Sequence, residues 1–153
     1  MKTKWVLIPV IALSLGCTRE IDTNVDYIDG QFSLFATSGE IETKTAVQQD
    51  GSVFWSPNDC IKVFYGNTSG EFISTNTDPA ASAEFTGSLG SFVLDGETEF
   101  KAVYPYSDAT TLSGDILSIV LPSEQTAVEE TFDNNLFISV AKSKDVNLHF
   151  YNV

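Results

Sequence analysis

The sequence predicts an all-β protein, an antiparallel β-sandwich of about seven to ten short strands. Three observations predict it. Runs rich in Val, Ile, Phe, Tyr and Thr recur from residue 31 onward, many of them with a period of two. Gly, Asn, Asp and Ser clusters separate them at short, regular spacing. No strand alternates with a helical stretch, which argues against a doubly wound or barrel enzyme.

In chain order, residues 31–37 place Phe32, Leu34 and Ala36 on one face and Phe35 on the other. Residues 40–47 alternate Ile41, Thr43, Thr45 and Val47 against Glu42, Lys44 and Ala46. Asp50 and Gly51 form a hairpin-type turn before residues 53–55. Cys60–Tyr65 sets Ile61, Val63 and Tyr65 on one side, a turn is expected over residues 67–70, and a short strand over 71–74. Residues 82–86, 92–94, 99–104, 116–121, 136–141 and 146–150 complete the series. Residues 123–131 alone have helical character, and they follow Pro122 without a wide apolar stripe.

The N-terminus reads as an export signal. Met1 to Lys4 is basic, and residues 5–15 are almost wholly apolar, too short to span a bilayer, which takes ~20 residues. Gly16 precedes Cys17, the arrangement a lipoprotein signal peptidase needs to cut between them once Cys17 carries diacylglycerol. Residues 1–16 are therefore expected to be removed and Cys17 to become a lipidated, palmitate-type anchor in an outer membrane. Each buried CH₂ of that anchor contributes ~0.8 kcal/mol. Residues 17–30, with Glu20, Asp22, Asp26 and Asp29 against Arg19, are expected to be an extended, solvated tether. Residues 31–153 form the domain.

The chain carries 21 acidic and 8 basic residues, a net charge of −13. Such a surface repels phosphate backbones, so nucleic acid is excluded as a partner. With 42% apolar residues the composition is that of a globular protein. Cys60 and His149 are the available thiol and base, 89 positions apart and without a surrounding catalytic signature, so both are assigned structural roles. The sequence implies no zinc site and no cofactor. The densest oxygen cluster, Glu129, Glu130, Asp133, Asn134 and Asn135, lacks the alternation of a calcium loop. Carboxylate pairs suited to a glycosidase carry no specificity among 21 acids. Trp55, Tyr65, Tyr104 and Tyr106 are the aromatics available for stacking on a sugar or for packing.

Three segments together resemble the fimbrillin-like family of Bacteroidales surface lipoproteins, which includes type V pilus subunits. The first is Glu42, Thr43, Lys44 and Thr45, then residues 53–64 with Trp55, Pro57, Asn58 and Asp59. The second is residues 83–87, then 100–106 with Tyr104, Pro105 and Tyr106. The third is residues 121–126, then 131–133 and the strand 137–141. The resemblance implies an N-terminal β-sandwich domain of transthyretin-like, Greek-key type, with a second sandwich domain expected to follow. It also implies a non-enzymatic structural or adhesive subunit of fimbriae (stalk, anchor or tip) that joins other fimbrial subunits by strand addition after a trypsin-like protease cuts near the first strand. Lys44 is the candidate cleavage site. Trp55, Asp59, Tyr104, Pro105 and Tyr106 carry structural roles: the turn at 57–59 lets Asp59 bond nearby amides, and Pro105 suits a strand end. A glycan-binding surface module, with a host or bacterial surface receptor or glycan as partner, is the alternative. A surface hydrolase is a third reading and would need a pocket carboxylate of raised pKa.

Overall fold

Short loops with glycine where the backbone must turn left-handed set the hairpins. Cys60–Tyr65 and Thr68–Ser74 pair antiparallel through a two-residue loop, with Tyr65 opposite Thr68. Gly66 holds φ at 56°, as the first central position of a II′ hairpin turn requires. The turn thus sits at Gly66 and Asn67, and the second strand starts at Thr68 rather than after Gly70.

The computed structural model describes residues 26–38, 54–121 and 137–153. In those residues the chain is all-β. The strands are β1 Asp26–Ile28, β2 Gln31–Ser38, β3 Cys60–Tyr65, β4 Thr68–Ser74, β5 Ser82–Ser88, β6 Phe92–Leu94, β7 Phe100–Tyr104, β8 Thr111–Ser113, β9 Ile116–Ser118, β10 Ser139–Ser143 and β11 Asn147–Asn152.

Seven of them close on themselves. The order round the ring is β2, β5, β4, β3, β7, β10, β11 and back to β2. Every contact is antiparallel except the last, where residues 35–38 of β2 run parallel to residues 147–150 of β11. The expected antiparallel sandwich is therefore replaced by a closed barrel. A sandwich leaves edge strands, whereas here both sides of each of these seven strands are hydrogen-bonded.

The interior is filled by the inward half of each alternation. Leu34 and Ala36 of β2, Ile61 and Val63 of β3, Phe72 of β4, Phe85 of β5, Phe100 of β7 and Leu148 of β11 are all buried. Aromatic rings occupy the two ends. At one, Phe32, Tyr65, Phe72, Phe92 and Phe100 stack edge-on or tilted, at centroid distances of 4.5 to 6.1 Å. The β1–β6 ladder packs Ile28, Phe92 and Leu94 against this end. The Tyr65 hydroxyl donates to the Val93 carbonyl at 2.9 Å, tying the barrel to β6. At the opposite end sits Trp55, held by backbone hydrogen bonds to Ala80 of 2.7 and 3.0 Å.

Two sequence expectations change here. Asp26–Ile28, assigned to the solvated tether, is a strand paired with β6, because Ile28 has an apolar surface to cover. The apolar run 116–121 forms a strand only over Ile116–Ser118. It pairs with β8 off the barrel, and Ile116, Val120 and Leu121 stay exposed. The completed ring has no free edge to receive it. The predicted signal segment with Gly16 and Cys17, the strand 40–47 with Lys44, the turn at Asp50 and Gly51, the stretch 123–131 and the oxygen cluster from Glu129 to Asn135 lie outside the described residues.

Gly70 and Gly87 mark where β4 and β5 approach too closely for a side chain. A Cβ at Gly87 would overlap the Glu71 carbonyl oxygen and lie 2.6 Å from Cγ of the buried Phe72. Gly87→Ala is predicted to lower stability by ~2 kcal/mol, typical of a core forced to shift, as read from the urea midpoint. A change within ~0.5 kcal/mol, the range of an inert surface substitution, would mean that the strands do not approach this closely.

Candidate functional site

The residues singled out around Trp55, Asp59 and Tyr104 converge on one end of the barrel. Trp55 meets Phe85, Tyr104 and Phe150 edge to face at 5.1, 5.4 and 5.0 Å. Its indole N–H is buried with no partner among the described residues. The chain leaves the tryptophan through Ser56 and Pro57 and reverses at Asn58, whose φ of 63° is one that Asn tolerates better than most side chains. Asp59 closes this turn. Its Oδ2 accepts from the Ser56 amide at 2.7 Å, and the Tyr104 hydroxyl lies 3.4 Å from its Oδ1. Tyr104 ends β7, Pro105 follows, and the Tyr106 amide returns to the Cys60 carbonyl at 2.9 Å. Proline after the last ladder position removes no sheet hydrogen bond.

Burial pushes the Asp59 carboxyl above its usual range, and the Ser56 amide and Tyr104 hydroxyl partly oppose this. Burial beside Asp59 pushes the Tyr104 phenol up to about 12. Tyr106 is also pushed up to about 12, chiefly by its hydrogen bond to Asp108 at 2.5 Å. Burial and the nearby Glu71 raise the Cys60 thiol, whose Sγ lies 3.3 Å from the Asn58 carbonyl oxygen. A raised thiol pKa leaves little thiolate at neutral pH, the opposite of an activated nucleophile. His149 is not beside it. Strands β7 and β10 separate β3 from β11 on the shorter way round the ring. The His149 Nδ1 lies 2.9 Å from the Thr37 hydroxyl, and its ring meets Tyr151 edge to face at 4.8 Å.

The four aromatics considered for sugar stacking do not form a platform. Trp55 and Tyr65 are buried in the core, and the Tyr104 ring stands at 88° to Trp55. Asp59, a half-buried carboxylate and the nearest to what a hydrolase would need, is engaged in bonds that hold its own turn.

The second candidate element is the seam between β2 and β11. It comprises four registered pairs, and the Phe35 amide adds a bond to the Val146 carbonyl at 2.8 Å. On the core side it buries Leu34, Ala36, Leu148 and Phe150. On the outside, Phe35 and Tyr151 are exposed. Sequence reasoning placed both strands correctly but gave no sign that they meet.

It also missed Lys62. Alternation puts Lys62 on the outer face of β3, and a solvated lysine is the default reading there. In the structure it is buried: its Nζ donates to the Ser107 and Asp108 carbonyls at 3.2 and 3.0 Å and sits 5.7 and 5.8 Å from the Phe64 and Tyr106 ring centroids. The one available signal was its position inside the otherwise apolar run Cys60–Tyr65.

Comparison of the chain with known protein families, curated proteins and solved structures finds no match.

Asp59 makes a signed pH prediction. Its pKa is higher folded than unfolded, so the folded state binds the proton more tightly, and this group's contribution to stability rises as pH falls from neutral toward 3.8. The stability of the native chain relative to Asp59→Asn should therefore increase between pH 7 and pH 4, as checked by paired urea titrations. A relative stability that falls over that window would mean that Asp59 is held mainly by its hydrogen bonds.

Proposed function

We propose that this chain is a surface lipoprotein, anchored in an outer membrane through Cys17, that serves as a structural or adhesive subunit of fimbriae and joins neighbouring subunits by strand addition. The resemblance to fimbrillin-like proteins motivates this reading. The observation that carries it is the position of β2.

Strand addition needs an unpaired edge beside an apolar groove. A sandwich of the kind the resemblance implies has edges, whereas this barrel offers none among its seven strands, so one strand must leave first. β2 is suited to leave. It is the first barrel strand in the chain, and one of its two ladders is the parallel pairing, which is slightly weaker per residue than the antiparallel kind. Lys44 follows it within six residues of its last residue, Ser38. A cut after Lys44 would detach β1 and β2 from the rest of the chain in one piece. Its departure would bare the edges of β5 and β11 and the core-facing Ala83, Phe85, Leu148 and Phe150. An incoming strand with apolar residues in the places of Phe32, Leu34 and Ala36 would restore both ladders and the core. Main-chain hydrogen bonds would supply affinity, and the alternate side chains would supply register.

The test is to treat the folded chain with a trypsin-like protease and follow mass and assembly together. A cut after Lys44, loss of the N-terminal piece and a ladder of SDS-resistant oligomers are expected, with Lys44→Ala blocking all three. A folded chain left uncut at Lys44, or one that is cut and stays monomeric, would contradict assembly by this route.

A further inference from the structure

We propose that the outer face of β3 and the β8–β9 hairpin form a binding site for a saccharide bearing a single carboxylate, with Lys62 as its charge partner. This site is separate from the seam and does not depend on the assembly reading.

Basic side chains are few in this chain of net charge −13, yet those among the described residues gather on one face. Lys62 is on β3, Lys101 on β7, Lys142 on β10 and Lys144 just beyond β10. Register aligns Phe64 with Lys101 and Lys101 with Lys142 across three neighbouring strands. The β8–β9 hairpin folds over this face and leaves a groove on each side of its tip.

The two grooves differ in their charge balance. The smaller, about 290 Å³, is lined by Lys101 and Lys144 together with Glu97 and Glu99. Its lysines are already paired, Lys101 with Asp115 at 2.8 Å and Lys144 with Glu97 at 2.9 Å. The larger, about 400 Å³, is lined by Lys62, Phe64, Thr68, Ser69, Thr110 and Leu112 among others. Lys62 has no carboxylate within ion-pair distance among the described residues. Two backbone carbonyls take two of its three N–H donors. Glu71 stands opposite Lys62 in register but beyond ion-pair distance, so the direct contacts of the buried ammonium are carbonyl dipoles, to which an incoming anion would add.

Thr110 is the second, independent observation. It is 1% exposed, lines the same groove, and its hydroxyl has no hydrogen-bond partner among the described residues. A buried hydroxyl without a partner costs about 1–3 kcal/mol, so such groups are rare unless a ligand or water completes them. Among the described residues, an unpartnered hydroxyl and an ammonium bound only to carbonyls thus lie at one groove.

The remaining lining selects the ligand class. Thr68, Ser69, Thr111 and Asn67 are neutral groups that donate and accept, matching the alternating polarity of sugar hydroxyls. Phe64 and Leu112 offer a narrow apolar floor for the C–H face of a ring. The volume falls within the ~300–1,000 Å³ of small-molecule sites. The charge of the rest of the surface disfavours a polyanion, whose further charges would meet carboxylates, and favours a ligand with one.

The test titrates the full chain, labelled with ¹⁵N, with galacturonic acid, with galactose and with acetate, and follows amide shifts. Galacturonic acid should produce saturable shifts at Phe64, Gly66, Thr110 and Gly114 with a Kd at or below ~10 mM, and galactose and acetate should bind at least ~10-fold more weakly. Thr110→Val should weaken galacturonic acid about fivefold while the melting temperature holds or rises, because the change removes only an unpartnered hydroxyl. Lys62→Met keeps the apolar stem and should abolish the preference over galactose. No saturable shift with galacturonic acid, equal binding of galactose, or acetate binding as tightly as the acid sugar would overturn the assignment, as would a Thr110→Val chain that binds unchanged.

Discussion

Parity governs this fold. Strands hydrogen-bonded in a ring can alternate in direction all the way round only if their number is even. With seven, at least one neighbouring pair must run the same way, and here that pair is β2 with β11. Closure and the parallel seam are therefore one fact. Closure removes every edge from the barrel and with it the commonest route to uncontrolled strand pairing. The one parallel ladder, slightly weaker per residue than the antiparallel ones, falls on the first barrel strand, β2.

The barrel is small enough that side chains fill it, and its ends are finished by aromatic rings rather than left open. Trp55 at one end and the Phe32, Phe92 and Phe100 group at the other are carried by segments outside the seven strands or at their tips. Chemistry is thereby displaced from the interior to the outer faces. Among the described residues, the outer face of β3 is buried by later chain, where the segment after β7 crosses back over Lys62. That crossing gives an otherwise acidic protein its single enclosed cationic spot among the described residues.

Period-two alternation made β2, β5 and β11 readable, because each has one buried and one solvated face. The corner of Trp55, Asp59, Tyr104 and Pro105 was readable for a different reason. Its residues have few roles open to them: a proline cannot donate, and an Asp after Pro and Asn closes a turn. Closure was not readable, since β2 and β11 stand over a hundred residues apart and each pattern is equally consistent with an open sheet. The run 116–121 misled because hydrophobicity reports a wish for burial, not the availability of an edge. Asp26–Ile28 misled in the opposite sense, its acidic neighbours hiding one apolar contact through Ile28. Lys62 was hidden by alternation itself, which sends it outward and says nothing of what later crosses above.

The closed ring is read out by the set of interstrand proton contacts across the seam in solution. A closed barrel gives contacts between residues 35–38 and 147–150 in parallel register, with the Phe35 amide protected from exchange by its bond to Val146. Absence of those contacts, with fast-exchanging amides along the facing edges of β2 and β11, would mean that the ring is open and the protein is a sandwich with free edges.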